Sequence, residues 1–564
     1  MSWTGSVGRL PGIAVARTYR REWLRNDITA GLVLTALLIP AGMGYAQAAG
    51  LPAYAGLYAT IVPLLVYAVV GPSRILVLGP DSSLAPLIAA AIAPLAVTDD
   101  PQTAMALAGV LGVLVGIILL AGGYLRLGFV TELLSKPIRL GYLNAIALIV
   151  VVGQIPKLLG FTADASGVLG QIADVAQSLW AREFDPIAAA VGFGSLAVIV
   201  LFRRLFRSIP GILVAVVGAM IVSAVFDLTD DISMVGAIPS GLPLPSFSGV
   251  DWADVGHLIA PAAAIALIAF ADTGVLSRTF AARHNHVVDG STEMKAIGVS
   301  NLASGLFGGF PISASGSRTP VAEQNGAQTQ LASVVGALAV LVFVLAAPGV
   351  TTYLPDATLG AVVIVAATAL IDVRGLVRMW HMSRIEFGLA AAAFLGVTLV
   401  GVLQGIVVAI GLSFAAVIAR AWQPYRTELV RTADRPGYHD IERHPDGQRI
   451  PGLALVRFDA PLFFANGTIF DRYIRSVVHH QPTPAEWVVI AAEPITGLDT
   501  TAVDQLVELD RYLKDQGIRL VFAEMKGPIK DRLIRFGAAG SFDTSRFYPT
   551  VETAVDAFQQ RAHQ

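Results

Sequence analysis

Phe307-Gly-Gly-Phe-Pro-Ile-Ser-Ala-Ser-Gly-Ser-Arg-Thr-Pro320 sets three serines and an arginine between apolar runs long enough to span a bilayer. In hydrocarbon every backbone N–H must find a partner, so a Gly/Pro/Ser interruption at that depth is tolerated only where it is buried in protein or lines a wet cavity. If a short helix begins near Ser315, its first N–H groups are unpaired and its dipole is positive there, and Arg318 adds a full charge. That chemistry suits an anion, with Ser315 and Ser317 as further donors. The competing reading is an arginine at the membrane interface, snorkelling to headgroups.

The rest of the chain shows what surrounds the break. Over 564 residues the sequence is 55% hydrophobic and only 14% charged, with a mean hydropathy of +0.66. Soluble domains carry about 25% charged residues. The composition is that of a polytopic membrane protein whose partner is the lipid bilayer. With no cysteine, disulfides, thiolate metal sites and thiol catalysis are excluded. The net charge of −2 averages two unlike regions and points to no nucleic-acid partner. Residues 1–26, with Arg9, Arg17, Arg20, Arg21 and Arg25, lack the apolar core and small-residue cleavage site of a signal peptide and read as a retained cytoplasmic lead-in.

From Asp27 to Trp422 the chain is a succession of apolar runs, each of roughly the length that crosses a core of about 30 Å as helix. About fourteen are expected, at 28–49, 54–70, 79–95, 103–122, 137–156, 185–203, 208–226, 257–281, 292–309, 315–324, 329–349, 356–372, 384–401 and 403–421. Positive charge tests this count, because Lys and Arg collect in cytoplasmic loops. With the N-terminus inside, the even-numbered loops hold Arg74; Arg126, Lys136 and Arg139; Arg203, Arg204 and Arg207; Arg278, Arg283 and Lys295; and Arg374, Arg378 and Arg384. The odd loops are acidic or uncharged, as at Asp99-Asp100 and Asp227 to Asp231, with Lys157 and Arg182 as exceptions. Both termini are therefore expected in the cytoplasm.

A second break lies seven segments earlier. Gly71-Pro-Ser-Arg-Ile-Leu-Val-Leu-Gly-Pro-Asp-Ser-Ser83 has the same small and polar residues, a proline and a following apolar run. Paired interruptions at corresponding places in two halves point to a transporter site built by half-helices near the midplane. An odd number of spans per half makes the repeats inverted. Pro80, Asp81 and Ser82 then join Ser315, Ser317 and Arg318 as substrate-binding candidates. Asp81 can equally cap its helix. Tyr45, after Pro40 in the first segment, is either a ligand donor or a packed core tyrosine. Asp272 sits deep in an apolar segment, where a carboxylate costs several kcal/mol unless paired, solvated or protonated. With Thr273 beside it, it is a candidate for carrying a proton or ligating sodium, against the alternative of a structural pairing with Thr273 or Arg318.

After Arg420 the composition turns soluble. Residues 423–450 read as a polar linker, and 451–564 as alternating strands and helices, which implies a small sheet with helices packed on it. No phosphate loop and no spaced acid/base pair marks an enzyme there. The turn Gly497-Leu-Asp-Thr-Thr-Ala502 opens a helix, with the hydroxyls of Thr500 and Thr501 as expected caps.

These residues resemble the sulfate permease family. The resemblance is carried by Ile39-Pro-Ala-Gly-Met-Gly-Tyr-Ala-Gln47, Gly50-Leu-Pro-Ala-Tyr-Ala-Gly-Leu-Tyr58, Gly71-Pro-Ser-Arg74 with Gly79-Pro80, and Gly309-Phe-Pro-Ile-Ser-Ala-Ser-Gly-Ser-Arg-Thr319. The tail resembles the sulfate transporter and anti-sigma-factor antagonist (STAS) domain through Pro461-Leu-Phe-Phe-Ala-Asn466 and Leu498-Asp-Thr-Thr501. The resemblance implies a seven-plus-seven inverted repeat with core and gate domains, an anion held between the breaks, and a homodimer. It implies roles for Ser317 and Arg318 at the anion site and for Asp272 in ion coupling. Thr501 falls where bacterial anti-sigma antagonists carry a phosphorylatable serine, which makes Thr500 and Thr501 regulatory candidates, although as helix caps they need no such role. Ala41 stands where plant members have glutamine, which removes a side-chain ligand and leaves the substrate open.

The expected function is secondary active transport of a small inorganic oxyanion across the plasma (inner) membrane, by cation-coupled symport with elevator-like alternating access. Sulfate is favoured over bicarbonate and dicarboxylates. The co-transported ion is a proton or sodium, and no cofactor is expected. An anion channel or motor, or a membrane-tethered signalling module, are the readings of another class.

Overall fold

The computed structural model describes residues 10–96, 100–132, 135–163, 165, 167–206, 210–239, 241, 250–284, 286–432 and 435–562. Arg9, Asp99 and Arg207, used above in the charge pattern, lie outside the described residues. The chain forms two compact units, one ending at Ser413 and one starting at Phe414.

The first unit is helical. After α1 (Pro11–Arg17) come α2 (Leu24–Ala48), α3 (Ala53–Val70), the two-residue strand β1 (Leu78–Gly79), α4 (Ala85–Ile92), α5 (Pro101–Tyr124), α6 (Lys136–Leu159), α7 (Val168–Ala181), α8 (Pro186–Leu205) and α9 (Gly211–Phe226). The same order recurs in α10 (Trp252–Arg283), α11 (Gly290–Leu306), strand β2 (Ser313–Ala314), α12 (Arg318–Gln324), α13 (Leu331–Ala346), α14 (Asp356–Thr368), α15 (Val373–Met382), α16 (Arg384–Leu395) and α17 (Val402–Trp422). Each of the fourteen segments read from the sequence coincides with a helix, wholly or in its second part. Among the described residues, seven helices are long and apolar enough to cross a membrane by length and composition.

Two of those readings need correction. The third and tenth segments were expected helical from 79 and 315, but helix begins only at Ala85 and Arg318. The preceding residues are extended because Leu78 pairs with Ala314 and Gly79 with Ser313, antiparallel. Each break thereby satisfies the other's backbone groups at a depth where water is absent. Two helices, α7 and α15, fall where only loops were expected. Both are amphipathic rather than apolar throughout, so a search for bilayer-length runs passes over them.

Packing sorts the helices into two groups. Helices α2, α3, α5, α10, α11 and α13 pack mainly on one another, as do α6, α8, α9, α14 and α16. Glycines set the closest approaches: a Cβ on Gly56 of α3 would lie 1.8 Å from the Gly42 carbonyl oxygen of α2. Small residues let backbones approach in this way where no hydrophobic drive operates between helices.

The second unit holds a six-stranded sheet. Its strands are β3 (Arg426–Arg431), β4 (Tyr438–Asp440), β5 (Leu453–Phe458), β6 (Trp487–Ala491), β7 (Arg519–Ala523) and β8 (Phe547–Tyr548), in the spatial order β4-β3-β5-β6-β7-β8. From β5 to β8 the neighbours are parallel, while β3 joins β5 and β4 joins β3 antiparallel. The stretch 423–450, expected as a linker, therefore carries two strands, β4 at the sheet edge and β3 between β4 and β5. Its high polarity reflects a sheet edge, where Glu428 pairs with Arg449 at 2.9 Å. Alternation sends Val456, Ile490 and Phe522 against α18 (Gly467–His479), α19 (Thr500–Asp515) and α20 (Gly527–Arg535), and Leu455, Val489 and Val521 against α21 (Val551–Ala562).

Candidate anion site

The two breaks meet around Arg318. This side chain is 2% exposed, a burial that is rare for a charge without a partner. Its Nη2 donates to the Pro80 carbonyl of the other break. Its Nε and Nη1 meet no acceptor. Gly79 has φ +143, and a Cβ there would stand 3.1 Å from the Arg318 Nη1, so the guanidinium lies flat against a backbone that glycine keeps bare. A buried cation with unused N–H donors in a membrane interior is stabilised by an anion, because leaving such donors unmade costs the desolvation of each. The snorkelling alternative does not fit an arginine buried to this degree.

The sequence candidates gather on this point with distinct tasks. Ser315 is fully buried: its N–H donates to the Val77 carbonyl at 3.0 Å, and its Oγ accepts from Arg318 N–H at 3.3 Å and lies 3.2 Å from Ser317 Oγ. Ser315 thus shapes the turn ahead of α12. Pro80 offers its carbonyl to Arg318 rather than outward. Tyr45 is 3% exposed and lies beside Ser82, in electrostatic reach of Asp81 and Arg318. Asp81 accepts from Ser83 N–H at 3.0 Å, closing the turn before α4.

Asp272, on α10, connects to this turn through one hydroxyl. Ser83 Oγ lies 2.9 Å from Asp81 Oδ2 and 3.1 Å from Asp272 Oδ2, while Tyr142 OH is 3.4 Å from Asp272 Oδ1. Asp272 makes no ion pair with Arg318. Thr273 faces elsewhere: its Oγ1 donates to Ala269 O at 2.7 Å and accepts from Ala314 N–H at 3.1 Å, fastening β2 to α10.

Several supporting residues escaped the sequence reading. Asn301 brackets the second break, its Oδ1 accepting from Ile312 N–H at 2.8 Å and its Nδ2 donating to Ile312 O at 3.1 Å. Gln330 Nε2 holds the first break through Ser73 O and Leu76 O at 2.9 and 2.8 Å. Glu293, 1% exposed, accepts from Tyr67, Ser73 and Ser277. Each is a polar side chain inside an apolar segment, which is the signal that marked Asp272. In the tail, Thr500 and Thr501 are exposed and do not cap α19. Asp499 does, accepting from Ala502 N–H at 2.8 Å, since a carboxylate there answers both the free N–H and the helix dipole.

Comparison with known proteins places this geometry in context. The model of the sulfate permease family matches residues 24–393, and that of the STAS domain residues 444–554. A probable sulfate transporter of Mycobacterium tuberculosis is 38% identical over 99% of both chains. Probable sulfate transporter 3.3 of Arabidopsis thaliana is 30% identical, over 95% of this chain and 88% of the plant one. The fold is similar to that of the murine Solute Carrier 26 family member A9 anion transporter in the inward-facing state, with a TM-score of 0.91 at 21% identity over 99% of this chain and 96% of that one.

Proposed function

Because the chain belongs to the sulfate permease family, we propose that it is a secondary active transporter of a small oxyanion, sulfate in the first place, driven by a co-transported cation. The observation that carries this reading is Arg318, buried with two guanidinium nitrogens unpaired between two antiparallel breaks. Its relatives named as sulfate transporters favour sulfate over bicarbonate or a dicarboxylate. A channel needs no carboxylate joined to the site through a shared hydroxyl, as Asp272 is through Ser83, and a signalling module needs no buried cation. All site residues come from one chain, so each protomer of the homodimer carries a complete site. The distribution of Lys and Arg supports an inner-membrane orientation with both termini cytoplasmic.

The cation we assign is a proton. Ser83 has one hydroxyl hydrogen and two carboxylates in reach, so either Asp81 or Asp272 is left without it. Protonated Asp272 removes the conflict, donating to Ser83 Oγ while Ser83 donates to Asp81. Sodium would need further oxygens, and Thr273 has committed its hydroxyl to β2. Alternating access is proposed as an elevator-like motion of the α2–α5 and α10–α13 group past α6, α8, α9, α14 and α16. A polar contact between the groups marks the surface that must part: Gln47 Nε2 of α2 donates to Asp356 Oδ1 of α14 at 2.6 Å.

Uptake of labelled sulfate, bicarbonate and fumarate into proteoliposomes, with proton and sodium gradients imposed separately, tests the reading. Sulfate accumulation driven by the proton gradient is expected, and Arg318→Ala abolishes it while the protein stays folded. Wild-type uptake by Arg318→Ala overturns the site, and accumulation under sodium alone overturns the proton.

A further inference from the structure

Helices α7 and α15 occupy the same place in the two halves of the element order, yet their charge differs. Along α7 Asp174 is the only charged residue, while α15 carries Arg374, Arg378 and His381, followed by Arg384. At 100° per residue α15 divides into three arcs. Met379 and Leu376 pack against Leu140 and Ala390. Val373, Val377 and Trp380 form a second arc, exposed at 59%, 51% and 47%. Arg374, Arg378 and His381 form the third, beside it. Asp372 is occupied in capping α15 through Gly375 N–H at 2.7 Å, and neither Arg374 nor Arg378 forms an ion pair among the described residues.

An exposed apolar arc edged by unpaired arginines fits a boundary between acyl chains and headgroups. Connectivity puts α15 at that boundary, between the end of membrane segment α14 at Thr368 and the start of α16 at Arg384. The exposed Ile371, Met382 and Ile385 continue the apolar surface onto the neighbouring segments. Trp380 is held in place by Arg384, whose guanidinium lies 5.4 Å over its ring, and by an edge contact with Phe387. Tryptophan at headgroup level is the usual anchor.

We propose that α15 is a docking site for anionic phospholipid, with Val373, Val377 and Trp380 in the acyl region and Arg374 and Arg378 on the phosphates of acidic headgroups. The repeat-equivalent α7 presents Leu169 and Ile172, and its nearest cation, the C-cap Arg182, lies about 15 Å along the axis from Ile172, further than the screening length, so lipid around Ile172 shows no preference for charge.

The absence of cysteine makes the test direct. Val377→Cys in the full chain is labelled with an environment-sensitive fluorophore and reconstituted in phosphatidylcholine liposomes containing a minority of phosphatidylglycerol. Quenching by spin-labelled phosphatidylglycerol is compared with quenching by spin-labelled phosphatidylcholine, and Val373→Cys repeats the measurement should Val377→Cys fail to fold. Each arginine near an anionic surface enriches acidic lipid by about fivefold at most, so a preference of roughly three- to fivefold is expected. It falls to near one in the Arg374→Gln/Arg378→Gln variant and at about 1 M salt, where the screening length is about 3 Å. A label at Ile172→Cys shows no preference. Equal quenching by both lipids at position 377 overturns the proposal. So does quenching by neither, which puts protein or water on the stripe.

Discussion

At the scale of single residues the site depends on what is missing as much as on what is present. Gly79 has no side chain: its φ of +143 strains any other residue, and a Cβ there would press on Arg318 Nη1 at 3.1 Å. Gly79→Ala therefore costs about 1–2 kcal/mol in backbone strain alone, and it displaces the guanidinium. The expected outcome is a roughly tenfold or greater rise in the half-saturating sulfate concentration, since 1.4 kcal/mol is about tenfold, in a protein that still elutes as a folded species. Unchanged half-saturation would show that Arg318 does not contact the anion. Asp272→Asn tests coupling separately. The amide mimics the protonated acid toward Ser83 but cannot release the proton, so exchange of labelled anion should persist while gradient-driven accumulation disappears. Undiminished accumulation would place the coupling group elsewhere. Arg318 and Asp272 were legible in the sequence because a charge inside an apolar run has few explanations. Ser83, Tyr142 and Asn301 were not, because hydroxyl and amide side chains are common in membrane helices and their partners lie far away in sequence.

At the scale of elements, the apolar runs located the segments, and the Gly/Pro/Ser breaks located the two that are not continuous helix. What neither signal carried was that the breaks pair as strands. A two-residue strand has no periodicity to detect, and its partner lies far along the chain, Gly79 facing Ser313 and Leu78 facing Ala314. The helices α7 and α15 were missed for the related reason that each is short and amphipathic, with no bilayer-length apolar run to mark it. Packing between elements gives a further prediction. Gly305 of α11 faces α5 so closely that a Cβ would sit 2.3 Å from Gly109 O and 2.8 Å from Val113 N. Backbone cannot yield as a side chain does, so Gly305→Ala should destabilise by about 1–3 kcal/mol and lower the thermal midpoint in detergent. Gly218 on α9 has open space where its Cβ would be, and Gly218→Ala should leave that midpoint unchanged. Equal midpoints for the two variants would mean that α5 and α11 do not approach as described.

The whole molecule is a membrane unit and a sheet unit, each with its own apolar core. In the tail, strands β5, β6 and β7 and the helices announced themselves through period-two and helical patterning, while the polar strands β3 and β4 and the two-residue β8 went unrecognised. The site residues named here and those that hold the breaks all lie between Ala41 and Gln330, so no tail side chain is needed to recognise the anion. The tail sheet also satisfies its own backbone and buries both faces without borrowing a strand. Removing residues after Trp422 keeps α17 entire and should lower the amount of protein or its rate of transport, because a second unit aids assembly and regulation. The order of preference among sulfate, bicarbonate and fumarate should not change, since selectivity follows from Arg318, the two breaks and Ala41. Competition of each unlabelled anion against labelled sulfate, measured on the truncated and full-length proteins in the same liposomes, checks this. A reversed order after truncation would mean that the second unit shapes the binding site, and the assignment of recognition to the paired breaks alone would fail.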